Sequence, residues 1–362
     1  MADDFKYHID HHVGLVPPPE LLGARAAHSQ GRLDDAGLRA AEDDAIWEAL
    51  QLQRRVGLIA LGDGQFRRRN PLSVIYDNVD GFGAAPEHSA VAELLGDLLA
   101  PERRTLLESP VRRRRLAGHE AEYIVARTDR SRVIALPSPG YIAALGAPDA
   151  AAVGETDTKD AELAAIIRDE IAALAAQGVE YVQLHDPVIG FLLTTAGRER
   201  SGALGIDPRV LLDRVLAADA AVTSGLDVPA EFRVGLDITT GGAPETRQGY
   251  HSAAVAAFVE RQPFSRVCVE YLPGEQARFP IELLRTDTVV ALGIVDVSSP
   301  VQEPHDKLID LVDKAATVVD VNNIALSTNG GFSAAGPLGA REQRRRLQQV
   351  EVIARFYWGN EL

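Results

Sequence analysis

Tyr181-Val182-Gln183-Leu184-His185-Asp186-Pro187 decides the reading of the fold: a short apolar run stops on two ionisable side chains and a proline. The same grammar recurs along the chain. Val56-Gly57-Leu58-Ile59-Ala60-Leu61 ends in Asp63, Phe232-Arg233-Val234-Gly235-Leu236 ends in Asp237, and Val267-Cys268-Val269 ends in Glu270. Short apolar runs alternating with helical stretches indicate buried parallel strands. In a barrel of such strands the C-terminal tips converge on one mouth, where the chemistry sits.

Working outward, the pattern predicts a short strand near Phe5–Ile9, a helix from about Asp34 to Arg55, and the strand ending at Asp63. Residues 64–130 break the rhythm and read as an elaborated insertion after this second strand, with a helix near Ala90–Leu99 and a hairpin around Ala121–Val133. Strand Val133–Leu136 and helix Asp160–Ala176 follow, the helix capped by Asp157 or Thr158 and stopped by Gly178. Four further strand–helix pairs have strands near 179–185, 232–238, 266–271 and 288–295. A last strand at Asn323–Ser327 and a helix at Ala340–Tyr357 close the pattern. No linker or shift in composition divides residues 1–362, so the expectation is one α/β domain, a (β/α)8 TIM barrel of eight strands.

Composition narrows the partners. A formal charge of −15 argues against nucleic acid and anionic membrane, both of which reward a basic face. The run Arg112-Arg113-Arg114-Arg115 is flanked by acidic residues and reads as solvated surface. With Cys268 as the one cysteine, neither an intramolecular disulfide nor a thiolate-rich zinc site can form. There is no basic segment followed by an apolar core at the start, and no apolar run of about 18 residues, so a cytoplasmic protein acting on a small molecule is expected. Acidic barrels of this size are often homodimers, which leaves oligomeric state open.

Several strand tips resemble the catalytic barrel of the cobalamin-independent methionine synthases and their single-barrel relatives. The matching segments are His12-Val13-Gly14 followed by Pro17-Pro18-Pro19-Glu20, Asp63-Gly64-Gln65-Phe66-Arg67-Arg68, Gln183-Leu184-His185-Asp186-Pro187, Leu292-Gly293-Ile294-Val295-Asp296-Val297, and Leu326-Ser327-Thr328-Asn329-Gly330-Gly331-Phe332. Each is short; their shared order carries the resemblance, which implies methyl or alkyl transfer involving a small thiol or other small nucleophile, with a folate-type methyl donor as one candidate.

The departures are as informative. The family binds zinc through His, Cys, Glu and Cys, and at those positions this chain has Asp237, Thr239, Glu270 and Gly330. Thr and Gly supply no soft thiolate donors, so the resemblance predicts a scaffold without the family's zinc. The family's Asp-Glu-Pro reads His185-Asp186-Pro187, and its Asp-Gly-Glu reads Asp63-Gly64-Gln65.

Without the metal, a thiol of pKa about 8.5 is only a few per cent ionised at neutral pH, which costs on the order of 2 kcal/mol, or roughly thirtyfold in rate. A positioned histidine base contributes about 10²- to 10⁴-fold. His185 is therefore the expected base. Asp237 and Glu270, at the ends of successive strands about 4.8 Å apart, are expected to split into one high-titrating acid and one base. His12, Asp63, Gln65, Asp186 and Asn329 are expected to orient substrate. Gly241, Gly242 and Gly330 are expected to leave backbone N–H groups open to an anion.

Plainer roles stand beside each of these. His185 would serve as a core histidine on a carbonyl, Glu270 as a relic paired with arginine, and the glycine pairs as ordinary turns. Asp296 would cap a strand end, Arg67 and Arg68 would be surface, and Cys268 a small buried hydrophobe. His8 and His11 are expected as surface scatter. Three other functions remain open: a metal-free lyase or hydrolase acting on a small anionic substrate, a non-haem metal enzyme using His185, Asp237, Glu270 and His12, and a non-catalytic ligand-binding barrel.

Overall fold

In the computed structural model, which describes residues 7–86, 90–96, 102–147, 158–333 and 336–359, the apolar runs become a curled parallel sheet. Nine strands are assigned among these residues: β1 Ala60–Leu61, β2 Val79–Ala84, β3 Arg104–Arg112, β4 Ser131–Pro137, β5 Tyr181–His185, β6 Arg233–Asp237, β7 Arg266–Glu270, β8 Val289–Val295 and β9 Ile324–Thr328. Seven form the main sheet in the order β1-β4-β5-β6-β7-β8-β9, every neighbouring pair parallel. Most of their side chains are apolar, and every residue of β8 is buried, as helices outside and side-chain layers inside require. The architecture is TIM-barrel-like.

The expected first strand shrinks to one parallel bridge, Ile9 with Leu326. Asp10 N–H donates to Leu326 O and Leu326 N–H to His8 O, both at 2.8 Å. Phe5 and Lys6 lie outside the described residues. On its other side this segment meets β1 through a side chain: the His11 ring lies 2.8 Å from Ala60 O through Nε2 and 2.9 Å from His12 O through Nδ1. An imidazole thus stands where ladder hydrogen bonds are missing. His8 stacks on Trp358 with centroids 4.3 Å apart. Neither histidine is surface scatter; His8 is 6% and His11 3% exposed.

Between β1 and β4 the structure departs from expectation. The antiparallel pair is β2 with β3, a separate two-stranded sheet, not a hairpin at 121–133. Gly118–Val125 is a helix that buries Gly118, Ala121 and Ile124, a spacing of three that suits one helical face. The helix at Ala90–Leu95 is present, and residues 97–99 of its expected end lie outside the description, as does the Asp157 cap. After β7 no α-helix follows among the described residues. Pro273, Gly274 and Pro280 interrupt the segment, which makes only a 3-10 turn at Ile281–Leu283 before β8.

The other expected helices form at Asp35–Val56, Thr158–Ala176 and Ala340–Trp358. Gly57 and Gly178, at φ +96° and +99°, end the first two in the left-handed conformation that glycine adopts without penalty. No helix among the described residues is long and apolar enough to cross a membrane.

Candidate active site

The tips of β5, β6 and β7 and the segment after the Ile9 bridge bring four expected residues to one place. His12 Nδ1 lies 2.6 Å and His185 Nδ1 2.9 Å from the same oxygen, Asp237 Oδ2. The other carboxylate oxygen, Oδ1, accepts from Thr239 N–H at 2.9 Å and from the Thr239 hydroxyl at 2.7 Å. Asp237 is thus fixed from both ends.

Hydrogen-bond donors and acceptors settle the proton positions. His12 Nε2 lies 3.0 Å from Thr328 O, and a carbonyl can only accept, so Nε2 carries hydrogen. Nδ1 faces a carboxylate oxygen and must carry hydrogen as well, which makes His12 an imidazolium. Burial pulls its pKa down, but the Asp237 charge and hydrogen bond and the Thr328 carbonyl outweigh that, and the net shift is upward. For Asp237, burial pushes upward, and the attraction of His12 and His185 wins and holds the carboxyl well below the ordinary carboxylate range. His185 faces Asp237 through Nδ1, and its side chain is 34% exposed. Tyr141 meets this ring edge-on at 6.1 Å.

Glu270 is built differently. Sheet register pairs Asp237 with Cys268, so Glu270 stands further toward the mouth than its neighbour on β6. Its Oε1 accepts from Thr240 N–H at 3.0 Å, the Thr240 hydroxyl at 2.7 Å and Gly242 N–H at 3.0 Å. Its Oε2 is buried without a hydrogen-bond partner, and the Thr246 hydroxyl close by already donates to Ala243 O. Burial raises the Glu270 pKa against the pull of those donors. The two carboxyls do diverge in proton affinity, yet the cause is a pair of histidines on one and desolvation of the other, not mutual repulsion.

The glycines correct an expectation. Gly241 N–H donates to Asn329 O at 3.0 Å and Gly242 N–H to Glu270, so neither remains open to an anion. A Cβ on Gly330 would lie 2.6 Å from Gly241 Cα. Backbone therefore fills the room that a cysteine at position 330 would need, and the Thr239 hydroxyl is committed to Asp237. Thr239 and Gly330 thus offer no free side-chain donor at two of the four zinc positions.

The remaining expected residues flank this centre. Asn329 ties tips together, accepting from Val297 N–H at 2.9 Å. Asp63 accepts from Gln65 N–H at 2.8 Å through Oδ1, while its Oδ2 is buried without a partner. Burial first, then the Glu120 charge, against Arg68, push its carboxyl up to about 7. Asp186 is not free to orient substrate. Its Oδ1 accepts from Val188 and Ile189 N–H, and its Oδ2 from the Ser138 hydroxyl at 2.7 Å, so it caps the helix Pro187–Leu192. Asp296 accepts from Arg247 at 2.6 Å and from Ser298. Cys268 is fully buried, with Sγ 3.5 Å from Asp10 Oδ2. The sequence reading missed Thr240; the signal was a hydroxyl residue placed just after a carboxylate-bearing strand tip.

No family model matches the chain. Among solved structures, a Listeria monocytogenes protein assigned as a vitamin-B12 independent methionine synthase superposes with a TM-score of 0.74 at 18% identity, covering 98% of each chain. A B12-independent methionine synthase from Shewanella, solved in complex with selenomethionine, superposes at 0.72 with 17% identity and the same coverage. The fold is that of the cobalamin-independent methionine synthases. In sequence, the 5-methyltetrahydropteroyltriglutamate–homocysteine methyltransferase of Serratia proteamaculans is 26% identical over 187 residues, 49% of this chain and 23% of that protein. The methionine-synthase resemblance thus spans nearly the whole chain in structure and half of it in that sequence match.

Proposed function

We propose that this chain is a methionine-synthase-like transferase that moves a methyl or other alkyl group onto a small thiol or comparable nucleophile without the family's zinc. The observation that supports the reading is the His12–Asp237–His185 constellation at a mouth where backbone fills the place of the family's last cysteine. His12 and Asp237 neutralise one another as a fixed ion pair. His185, held by Asp237 through Nδ1, presents Nε2 to the entering nucleophile. In the reaction the S–H proton passes to Nε2, the sulfur lone pair forms the new S–C bond, and the bond from the methyl carbon to its donor breaks with its electron pair left on the donor. As it leaves, a folate-type nitrogen takes up one proton, so that the proton held at Nε2 balances the one consumed. A folate-type donor agrees with what the Serratia relative is named for; the donor class is part of the proposal.

The test is methyl transfer across a panel of small thiols with folate-type and sulfonium methyl donors. His185→Gln should lower the rate by about 10²- to 10⁴-fold with little change in thermal stability. Full activity in His185→Gln would overturn the assignment of the base.

One observation favours a second reading. The ligating atoms of His12, His185 and Asp237 all lie within 4.8 Å of one another, nitrogen and oxygen donors that suit a divalent transition metal. Such an ion would supply the ionisation of the nucleophile that His185 supplies in the first reading. Elemental analysis of protein purified without chelators separates the two: one equivalent of metal, lost in Asp237→Asn, supports the second and removes the first.

A further inference from the structure

The proposed chemistry leaves several buried arginines unused. Arg67 and Arg68, expected at the surface, have side chains only 7% and 3% exposed and are engaged by Asp43 and Glu120. Arg266 differs from them: it begins β7, is 1% exposed and extends into the barrel. The interior of a parallel barrel is ordinarily layered with branched apolar side chains, so an arginine there calls for a reason.

Its guanidinium reaches the N-terminal segment that carries His12. Nε donates to Asp10 Oδ2 at 2.8 Å and Nη2 to Tyr7 O at 2.9 Å, so one planar group grips that segment at two points. Asp10 collects further donors: the Tyr181 hydroxyl on the same Oδ2 at 3.1 Å, and His11 N–H on Oδ1 at 2.9 Å. A Cβ on Gly235 would lie 2.6 Å from the Tyr181 hydroxyl oxygen, so glycine on β6 leaves Tyr181 the room it uses to reach Asp10. These anchors stand on the strands of the candidate site. Register aligns Gln183, Gly235 and Arg266 in one row, and His185, Asp237 and Cys268 in the row two residues nearer the mouth.

A buried ion pair is a poor route to stability, because apolar side chains of the same volume avoid its desolvation cost. Arg266 Nη1, buried without an acceptor, adds to that cost. What the pair provides is registry. On the β9 side the segment has one bridge, Ile9 with Leu326, and on the β1 side a single imidazole on Ala60 O, so its depth is set from inside the barrel. We propose that Arg266 and Asp10 are positioning residues. They fix the height at which the segment crosses the barrel, so that His12, two residues after Asp10, brings Nδ1 to Asp237 Oδ2 at 2.6 Å. Their part in catalysis rests on the methyl-transfer reading; the placement of His12 does not.

The experiment compares wild type with two variants. Arg266→Lys keeps a charge beside Asp10 but cannot span Asp10 and Tyr7 O with one planar group. Asp10→Leu/Arg266→Met removes the pair without leaving one charge buried alone. Proton NMR follows the His12 Nδ1–H, assigned by its loss in His12→Gln, and steady-state kinetics follow methyl transfer. In both variants the resonance should move upfield and exchange faster with water. In both, kcat should fall about ten- to a hundredfold with little change in KM, the effect of misplacing a reacting group by about 1 Å. Circular dichroism reports which variants are folded; if neither is, Tyr181→Phe, which removes one donor to Asp10 and no charge, should show the same displacement to a smaller degree. An unmoved His12 resonance in a folded variant overturns the inference, whatever stability has been lost. A displaced resonance with wild-type kcat overturns the part of Arg266 and Asp10 in catalysis. A wild type that transfers no methyl group sinks the methyl-transfer reading alone, and the resonance still decides whether Arg266 places His12.

Discussion

Asp237 and Asp186 are joined by a hydrogen bond, Asp186 N–H to Asp237 O at 2.8 Å, and both are fully buried, yet they belong to opposite kinds of site. At the mouth, Asp237 has two imidazoles on one oxygen and is held ionised. Directly behind it, Asp186 and Asp219 meet no cation of that kind. Burial above all raises Asp186 to about 6, against the Ser138 hydroxyl, the Ile189 N–H and the His185 ring. Asp219 is raised by burial and by the Asp186 charge, against the Gly140 N–H. Asp219 Oδ2 is buried with no hydrogen-bond partner, so ionisation of both carboxyls is disfavoured. Burial alone therefore does not set the chemistry of a strand tip. What sets it is whether the fold supplies a cation, and here that cation comes from a histidine 225 positions away along the chain.

The sharpest way to break this contrast is to remove the charge at the mouth. Asp237→Asn leaves His12 as a buried cation without a counter-ion, which should cost about 2–4 kcal/mol of unfolding free energy at pH 6, read from urea denaturation. His12→Gln in the Asp237→Asn background should recover much of it, because the orphaned charge is then gone. Strictly additive losses would mean that the two do not form a pair.

The same pair fixes the sign of the pH dependence. The depressed Asp237 contributes stability that is present above its ordinary 3.8 and is lost as pH falls. The raised His12 contributes stability that is full below its ordinary 6.5 and fades as pH climbs through its folded value. The stability gap between wild type and the His12→Gln/Asp237→Asn double variant should therefore be widest between these limits and narrow on both sides. A gap that does not vary with pH would remove the ion pair from the account.

Behind the mouth the sign reverses. Carboxyls with raised values contribute most when protonated, so stability is full below the ordinary 3.8 and is lost as pH rises through the folded values. Asp219→Asn keeps the shape and cannot ionise. It should raise the melting temperature at pH 8 by about 1–2 °C, the effect of roughly 1 kcal/mol in a chain of this size, and by less at pH 4. A loss of stability at pH 8 would show that Asp219 is needed as a charge.

How much of this could be read from sequence follows from the range of the interactions. The strands at 131–137, 181–185, 233–237, 266–270, 289–295 and 324–328 were legible because an apolar run of that length, bounded by turns, is a local signal. The β2–β3 pair was not. Its pattern is broken by Gly81 at φ +104° and a register shift, and a third of β3 is Arg or Glu. His185, Asp237 and Glu270 were legible as tips of strands, and His12 as a residue before a turn. That both histidines share one oxygen of Asp237 depends on barrel closure, to which no local pattern points. Asp186 looked like its neighbour His185, and only the tertiary position of Ser138 and of the following helix turns it inward as a cap.

The smallest expected effect concerns the backbone at the mouth. Among the described residues Gln65 alone adopts a positive φ, 59°, without being glycine, directly after Gly64 at 71°. Left-handed backbone costs a side-chain-bearing residue roughly 1–2 kcal/mol and is kept where surrounding structure or function demands it. Its turn is anchored by Asp63 Oδ1 and by Leu15 N–H donating to Gly64 O at 3.2 Å, and its amide oxygen would lie 3.6 Å from a Cβ on Gly14. The N-terminal segment that delivers His12 thus packs on a strained residue. If the strain is retained for the side chain, Gln65→Gly should leave stability unchanged or raise it by up to about 1 kcal/mol, since glycine relieves the strain at some entropic cost. The same substitution should raise KM for the nucleophile with a smaller change in kcat, the mark of a group that positions substrate. Lower stability with unaltered kinetics would instead make Gln65 a packing residue that holds the His12 segment in place.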